Sequence, residues 1–208
     1  PRTERPEQKK VEVSAKETFS SVDQLKDFEN NKSLPAERSG WDGSTWKPHK
    51  SIEGGTDTLA YGHKLTAAEV KSGTVKIGEQ EVEYAEGLTD KQANDLFQQD
   101  VDSHKEVVSK AYPSLKGKQA DAVTMMVYQG ANVTKWKNSS AAIKKAIKSG
   151  DETDWLAAQA HILNSKWATE QTPDRALQTV HLLYPDTPIE TLETMLKGFQ
   201  SKRGVGDA

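Results

Sequence analysis

From Thr89 onward the sequence repeats one pattern: a helix start, an apolar stripe at three- and four-residue spacing, and a stop. Thr89 to Gln92 has the form of a capping box, and Ala93, Leu96, Phe97 and Val101 follow on one face. Ala120, Val123, Met126 and Val127 make a second stripe, and Ile143, Ala146 and Ile147 a third that stops at Gly150. Trp155, Leu156, Ala158, Ile162 and Leu163 form a fourth. Pro173 after Thr172 opens a fifth at the first helical position, where its missing N–H has no intrahelical partner to lose. Thr187-Pro188-Ile189-Glu190 repeats that start and adds a capping glutamate. Stripes so spaced are buried helix against helix, which commits this half of the chain to a helical lobe.

The preceding residues read differently. Ser21 and Gln24 have capping-box form, and Val22, Leu25 and Phe28 continue as a helical stripe ending near Asn30–Asn31, which places Glu29 in the last turn. Residues 33–57 are rich in glycine, proline, serine and charge; irregular segments of that length inside a compact domain are often functional. Thr58-Leu-Ala-Tyr-Gly-His63 reads as a short strand. Val75 and Ile77, then Val82 and Tyr84, alternate about Gly78-Glu79-Gln80 as a hairpin does. The expected fold is α+β and predominantly helical, with a small mixed lobe at 30–88 and a larger helical lobe at 89–184 flanking a cleft, where ligands commonly bind. Residues 1–20 read as a polar tail or linker, 21–184 as the domain proper, and 185–208 as an extra C-terminal helix and tail.

Composition narrows the function. Cysteine is absent, which removes disulfides, thiol nucleophiles and thiolate metal sites. A net charge of -3 argues against bulk electrostatic binding of nucleic acid. No apolar run approaches the roughly 20 residues of a membrane span. The histidines at 49, 63, 104, 161 and 181 form no ligand-spaced pair, and neither a nucleophile elbow nor a phosphate-binding loop occurs, so no metal or organic cofactor is expected.

Carboxylates remain. Glu29, beside Phe28 at a helix end, has the placement of a general acid, although most helical glutamates are solvated surface. Glu53 and Asp57 flank Gly54-Gly55 and offer a second carboxylate. Thr58 carries a hydroxyl able to orient a water, and His63 reads as structural, paired with a carboxylate. Trp155 fits a core stripe, whereas Trp41 and Trp46 in the long loop are expected to be freer to meet substrate.

Taken together, Phe28-Glu29, Thr58-Leu-Ala-Tyr-Gly-His63, Leu96-Phe-Gln-Gln-Asp-Val-Asp102, Met126-Val-Tyr-Gln-Gly130 and Ser165-Lys-Trp-Ala-Thr-Glu-Gln-Thr-Pro-Asp-Arg-Ala176 resemble, in order, segments of the lysozymes (endolysins) of T-even phages and their lambdoid relatives. The resemblance implies a phage-type lysozyme fold and a muramidase acting on bacterial peptidoglycan, inverting the anomeric centre. It implies Glu29 as general acid with Arg175 beside it, Thr58 holding the attacking water, and His63 in a structural pair with Asp100. Gln129 and Thr172 are implied as sugar contacts.

Two departures stand out. Ala60 replaces the first glycine of the T-x-G-x-G-H segment. The family's second carboxylate, usually aspartate, falls here on Ile52 in an expanded stretch, which leaves Glu53 as the chosen base and Asp57 in reserve. A lytic transglycosylase using Glu29, or an inactive lysozyme-like virion module that binds peptidoglycan, are the alternatives. The start at Pro1 and the linker-like opening raise the expectation of a domain in a larger virion protein, with other virion proteins or further domains as partners. The expected place of action is the periplasm or cell wall of the bacterial host.

Overall fold

The computed structural model describes residues 22–50 and 57–203. Ser21, the side chain of Phe28 and Glu53 therefore lie outside the described residues. Helix α1 (Val22–Glu29) buries Val22 and Leu25 and ends on Glu29, with the Asn30 N–H donating to the Lys26 carbonyl. A four-residue helix α2 (Ala36–Ser39) follows and is closed by Gly40 at φ 74°. A Cβ there would stand 2.1 Å from the Lys47 carbonyl oxygen, so only glycine lets the two chain segments approach.

Strands β1 (His49–Lys50), β2 (Asp57–Leu59) and β3 (His63–Lys64) form an antiparallel sheet in that order, pairing His49 with Thr58, Lys50 with Asp57 and Leu59 with His63. The expected continuous strand over Thr58–His63 is broken by a turn, because Ala60 adopts φ 51° and Gly62 φ 97°. Helix α3 (Ala67–Ser72) is started by a full Thr66/Glu69 capping box. Strands β4 (Thr74–Ile77) and β5 (Gln80–Glu83) make the hairpin, with Val75 opposite Val82.

Helix α4 (Asp90–Ala111) carries the Thr89/Gln92 capping box and spans the molecule. Its Ala93, Leu96, Phe97 and Val101 belong to one apolar core with Leu25, Trp46, Leu59 and Tyr61; its Val108 belongs to a second. Helix α5 (Gly117–Tyr128) is shared likewise, with Met125 in the first core and Val123 and Met126 in the second. Helices α6 (Lys137–Ser149) and α7 (Glu152–Leu163), a π-helical turn (Trp167–Gln171) and α8 (Pro173–Leu183) complete the helical lobe. Helix α9 (Ile189–Lys202) packs onto it, burying Leu192 and Leu196 in the second core. No helix among the described residues is long and apolar enough to cross a membrane.

One expectation is corrected outright. Trp46 is fully buried rather than free for substrate: its backbone exchanges hydrogen bonds of 2.8 Å with Leu88, and its Nε1 donates to Asp90 at 2.7 Å. The paired backbone at Leu88 and the start of α4 hold the indole inward, where its one polar atom finds a carboxylate. Trp41 is half-buried against it, its ring centroid 5.1 Å away, with Lys32 Nζ 4.1 Å from its own ring.

Candidate active site

Glu29 ends α1, and α8 begins opposite it. Arg175, in the first turn of α8, places Nη1 3.2 Å from both Glu29 carboxylate oxygens. The Glu29 side chain is only 11% exposed and that of Arg175 25%, so the ion pair sits in a wall of the molecule with limited solvent screening. Arg175 and Glu29 thus join the N-terminal end of α8, the positive end of its dipole, to the last turn of α1.

The turn between β2 and β3 closes the other side. A Cβ on Gly62 would lie 3.4 Å from Glu29 Oε2 and 3.5 Å from Tyr128 Oη, so this backbone runs in contact with the acid. Space is sufficient for a methyl; the φ of 97° is what demands glycine. Tyr128, at the end of α5, donates its hydroxyl to the Tyr61 carbonyl at 2.6 Å. Burial, reinforced by the charges of Glu29 and Asp100, keeps that phenol protonated well above its usual range. The sequence reading missed Tyr128 and Gly62 as neighbours of Glu29. Both stand inside segments it singled out, and a buried tyrosine in need of a partner was the available signal.

Thr58 is 5% exposed in β2 and shares a sheet face with its cross-strand partner His49. Burial lowers the His49 imidazole below its usual range, so the ring is neutral near pH 7. Asp57 forms an ion pair of 2.7 Å with Lys50. His63 is held from two sides, with Nδ1 2.8 Å from Asp100 and Nε2 3.2 Å from Glu69. Burial opposes its charge, but the hydrogen bond and charge of Asp100, joined by Glu69, outweigh that and hold the imidazolium above the ordinary value of 6.5. Gln129 caps α5, is 8% exposed, and accepts a 3.4 Å hydrogen bond from Thr179; its Nε2 has no partner among the described residues. Thr172 is half-buried at the start of α8. Of the expected residues, the structure thus joins Glu29 to Arg175 and His63 to Asp100.

A small sheet-bearing lobe and a helical lobe bridged by two helices, with an arginine-held glutamate where α1 meets α8, are the architecture of a lysozyme-like protein. The family model described as phage lysozyme matches residues 39–177, more than half the chain, and the chain belongs to that family. Among curated proteins, none matches it. Membership places the chain in a family of peptidoglycan hydrolases acting on the bacterial cell wall. The match begins at Ser39, after α1 and Glu29.

Proposed function

We propose that the chain is a β-1,4-N-acetylmuramidase that hydrolyses the bond between N-acetylmuramic acid and N-acetylglucosamine, with Glu29 as general acid. The observation that carries this reading is the Glu29 carboxyl itself: it is shielded, contacted by Arg175, and walled by Gly62 and Tyr128 where the two lobes meet. Glu29 passes its proton to the glycosidic oxygen as the C–O bond breaks and its electrons move onto that oxygen. A water on the opposite face adds to the anomeric carbon and gives its proton to the second carboxylate, inverting the centre. Glu53 is the proposed base. Adjacent strand residues point to opposite faces, so Asp57, engaged with Lys50, does not share the Thr58 side of the sheet; it stays in reserve. Thr58 steadies the water, and Gln129 and Thr172 meet sugar hydroxyls. The catalytic unit is residues 21–184, acting at the host cell wall as a lysis enzyme or virion component.

Clearing of purified cell walls by wild type, Glu29→Gln, Glu53→Gln and Asp57→Asn, with mass spectrometry of the products, tests the proposal. Glu29→Gln should lose about 10³-fold or more, Glu53→Gln should fall further than Asp57→Asn, and the products should carry reducing muramic acid with solvent oxygen. Products ending wholly in anhydro-muramic acid would make the enzyme a lytic transglycosylase. Absence of clearing by wild type would make it a binding module.

A further inference from the structure

Two unfavourable features are hydrogen-bonded to each other one residue from Glu29. Ala60 is the only non-glycine residue at positive φ among the described residues, a conformation its Cβ resists. Asn30 is 3% exposed, and its Oδ1 has no partner among them. Its Nδ2 donates twice, at 2.7 Å to the Ala60 carbonyl and at 2.7 Å to the Ser39 carbonyl. The amide cannot turn over, because Oδ1 would then face two carbonyl oxygens. Strained backbone and unsatisfied buried polar atoms persist only where their surroundings over-determine them, and they gather at functional sites.

The geometry of Asn30 says what it does there. It follows the last residue of α1, and its own N–H closes that helix onto Lys26. One side chain thus ties together the end of α1, the end of α2 at Ser39, and the turn between β2 and β3. Two residues before Ala60 stands Thr58; two residues after it stands Gly62, in contact with Glu29. The last turn of a helix lacks onward hydrogen bonds for its carbonyls and frays unless it is held from outside, and Glu29 is carried on that turn.

We propose that Asn30 is a positioning residue that sets the Glu29 carboxyl at a fixed distance from the Thr58–Gly62 turn, so that acid and water-side wall engage one glycosidic bond together. This rests on the reading of Glu29 as the acid. The experiment measures kcat and KM on uncrosslinked glycan strands, with Tm for each protein, for wild type, Asn30→Ala, Ala60→Gly, the double variant and Glu29→Gln. Asn30→Ala should lower kcat about tenfold with KM within about twofold, since misplacement of a reacting group by around 1 Å acts on the chemical step. Against Ala60→Gly the same change should cost only about threefold, because glycine adopts the turn unaided.

A purely structural Asn30 lowers Tm and leaves kcat, measured well below Tm, untouched. Wild-type kcat in folded Asn30→Ala, or equal losses in both backgrounds, overturns the proposal. Should Asn30→Ala fail to fold alone, the double variant decides, and a kcat equal to that of Ala60→Gly overturns it. Full activity of Glu29→Gln sinks the underlying reading instead. An inactive Glu29→Gln beside an unaffected Asn30→Ala sinks the positioning role alone.

Discussion

Arg175 Nη1 stands 3.2 Å from each carboxylate oxygen of Glu29, joining the first turn of α8 to the last turn of α1. A fixed cation favours the charged form of its neighbour. In Arg175→Met that preference is lost, and the alkaline limb of the activity profile should move to higher pH. Losing hydrogen bonds to a largely buried charge should also lower stability by about 1.5–3 kcal/mol. A pH profile superimposable on wild type would separate Arg175 from the acid.

The turn between β2 and β3 yields a contrast at two positions. Ala60 is buried in the left-handed region, where releasing its Cβ gains about 1–2 kcal/mol but glycine's unfolded-state entropy costs about 0.5–1 and the lost methyl about 0.8. Ala60→Gly should thus fall within about 1 kcal/mol of wild type on those magnitudes, whereas Ala60→Val, β-branched at positive φ, should lose more than about 2. Gly62→Ala meets strain without a clash, so urea unfolding should show about 1–2 kcal/mol lost, together with a disproportionate fall in kcat because this backbone lines Glu29. Equal stability of Ala60→Val and Ala60→Gly would contradict the left-handed assignment.

The helical half was legible because each stripe carried its own boundary. Gly150 closes α6 at φ 67°, Pro173 opens α8, and the Thr89/Gln92 box starts α4 where the spacing placed it. The small lobe was less legible, since its order comes from contacts between distant segments. Trp46 is buried by Leu88 and Asp90, forty-odd residues away, and no local pattern announces that. The site divides along the same line. Glu29 and Arg175 were readable through a segment resemblance, while Tyr128 and Gly62 are brought to Glu29, and Asn30 to the turn between β2 and β3, by tertiary geometry. Helix α9 lies beyond the matched segments, yet it fills the same core as α7 and α8.

The grip on His63 makes stability depend on pH in a definable window. Its folded-state pKa is raised, so the contribution is complete below the unfolded value of 6.5 and is lost as pH rises through the folded value. Burial opposes the charge of Glu69, but its bonds to Thr66 and the nearby His63 lower its pKa overall, so its contribution is present above the unfolded value of 4.5 and is lost as pH falls. Stability should therefore peak between about pH 4.5 and 6.5 as far as these groups decide it, and decline on either side. Asp100→Asn should flatten the alkaline decline and cost about 1.5–3 kcal/mol near pH 5.5. Parallel urea-stability profiles for the variant and wild type between pH 6 and 9 would remove His63 from this role.

The attachment of α9 rests on a polar group with no exposure at all. Gln159 Nε2 donates to the carbonyls of Val180 at 3.0 Å and Tyr184 at 3.2 Å, and its Oε1 accepts from Thr187 Oγ1 at 2.7 Å. Both side chains are buried, Gln159 completely, so this network holds the end of α8 and the approach to α9 against α7. Thr187→Val keeps the shape but leaves Gln159 Oε1 in a dry environment without its donor, an asymmetry that costs about 1–3 kcal/mol. For a domain of this size that corresponds to a Tm lower by roughly 3–10 °C. The hydroxyl touches nothing near Glu29, so clearing of cell walls at 20 °C should be unchanged. Gln159→Leu removes the acceptor as well and abandons two further carbonyls; its loss should exceed that of Thr187→Val. The double variant should then cost little more than Gln159→Leu alone, because Thr187 has no partner left to lose. Full additivity of the two changes in thermal unfolding would show that the bond does not join α7 to the chain leading into α9.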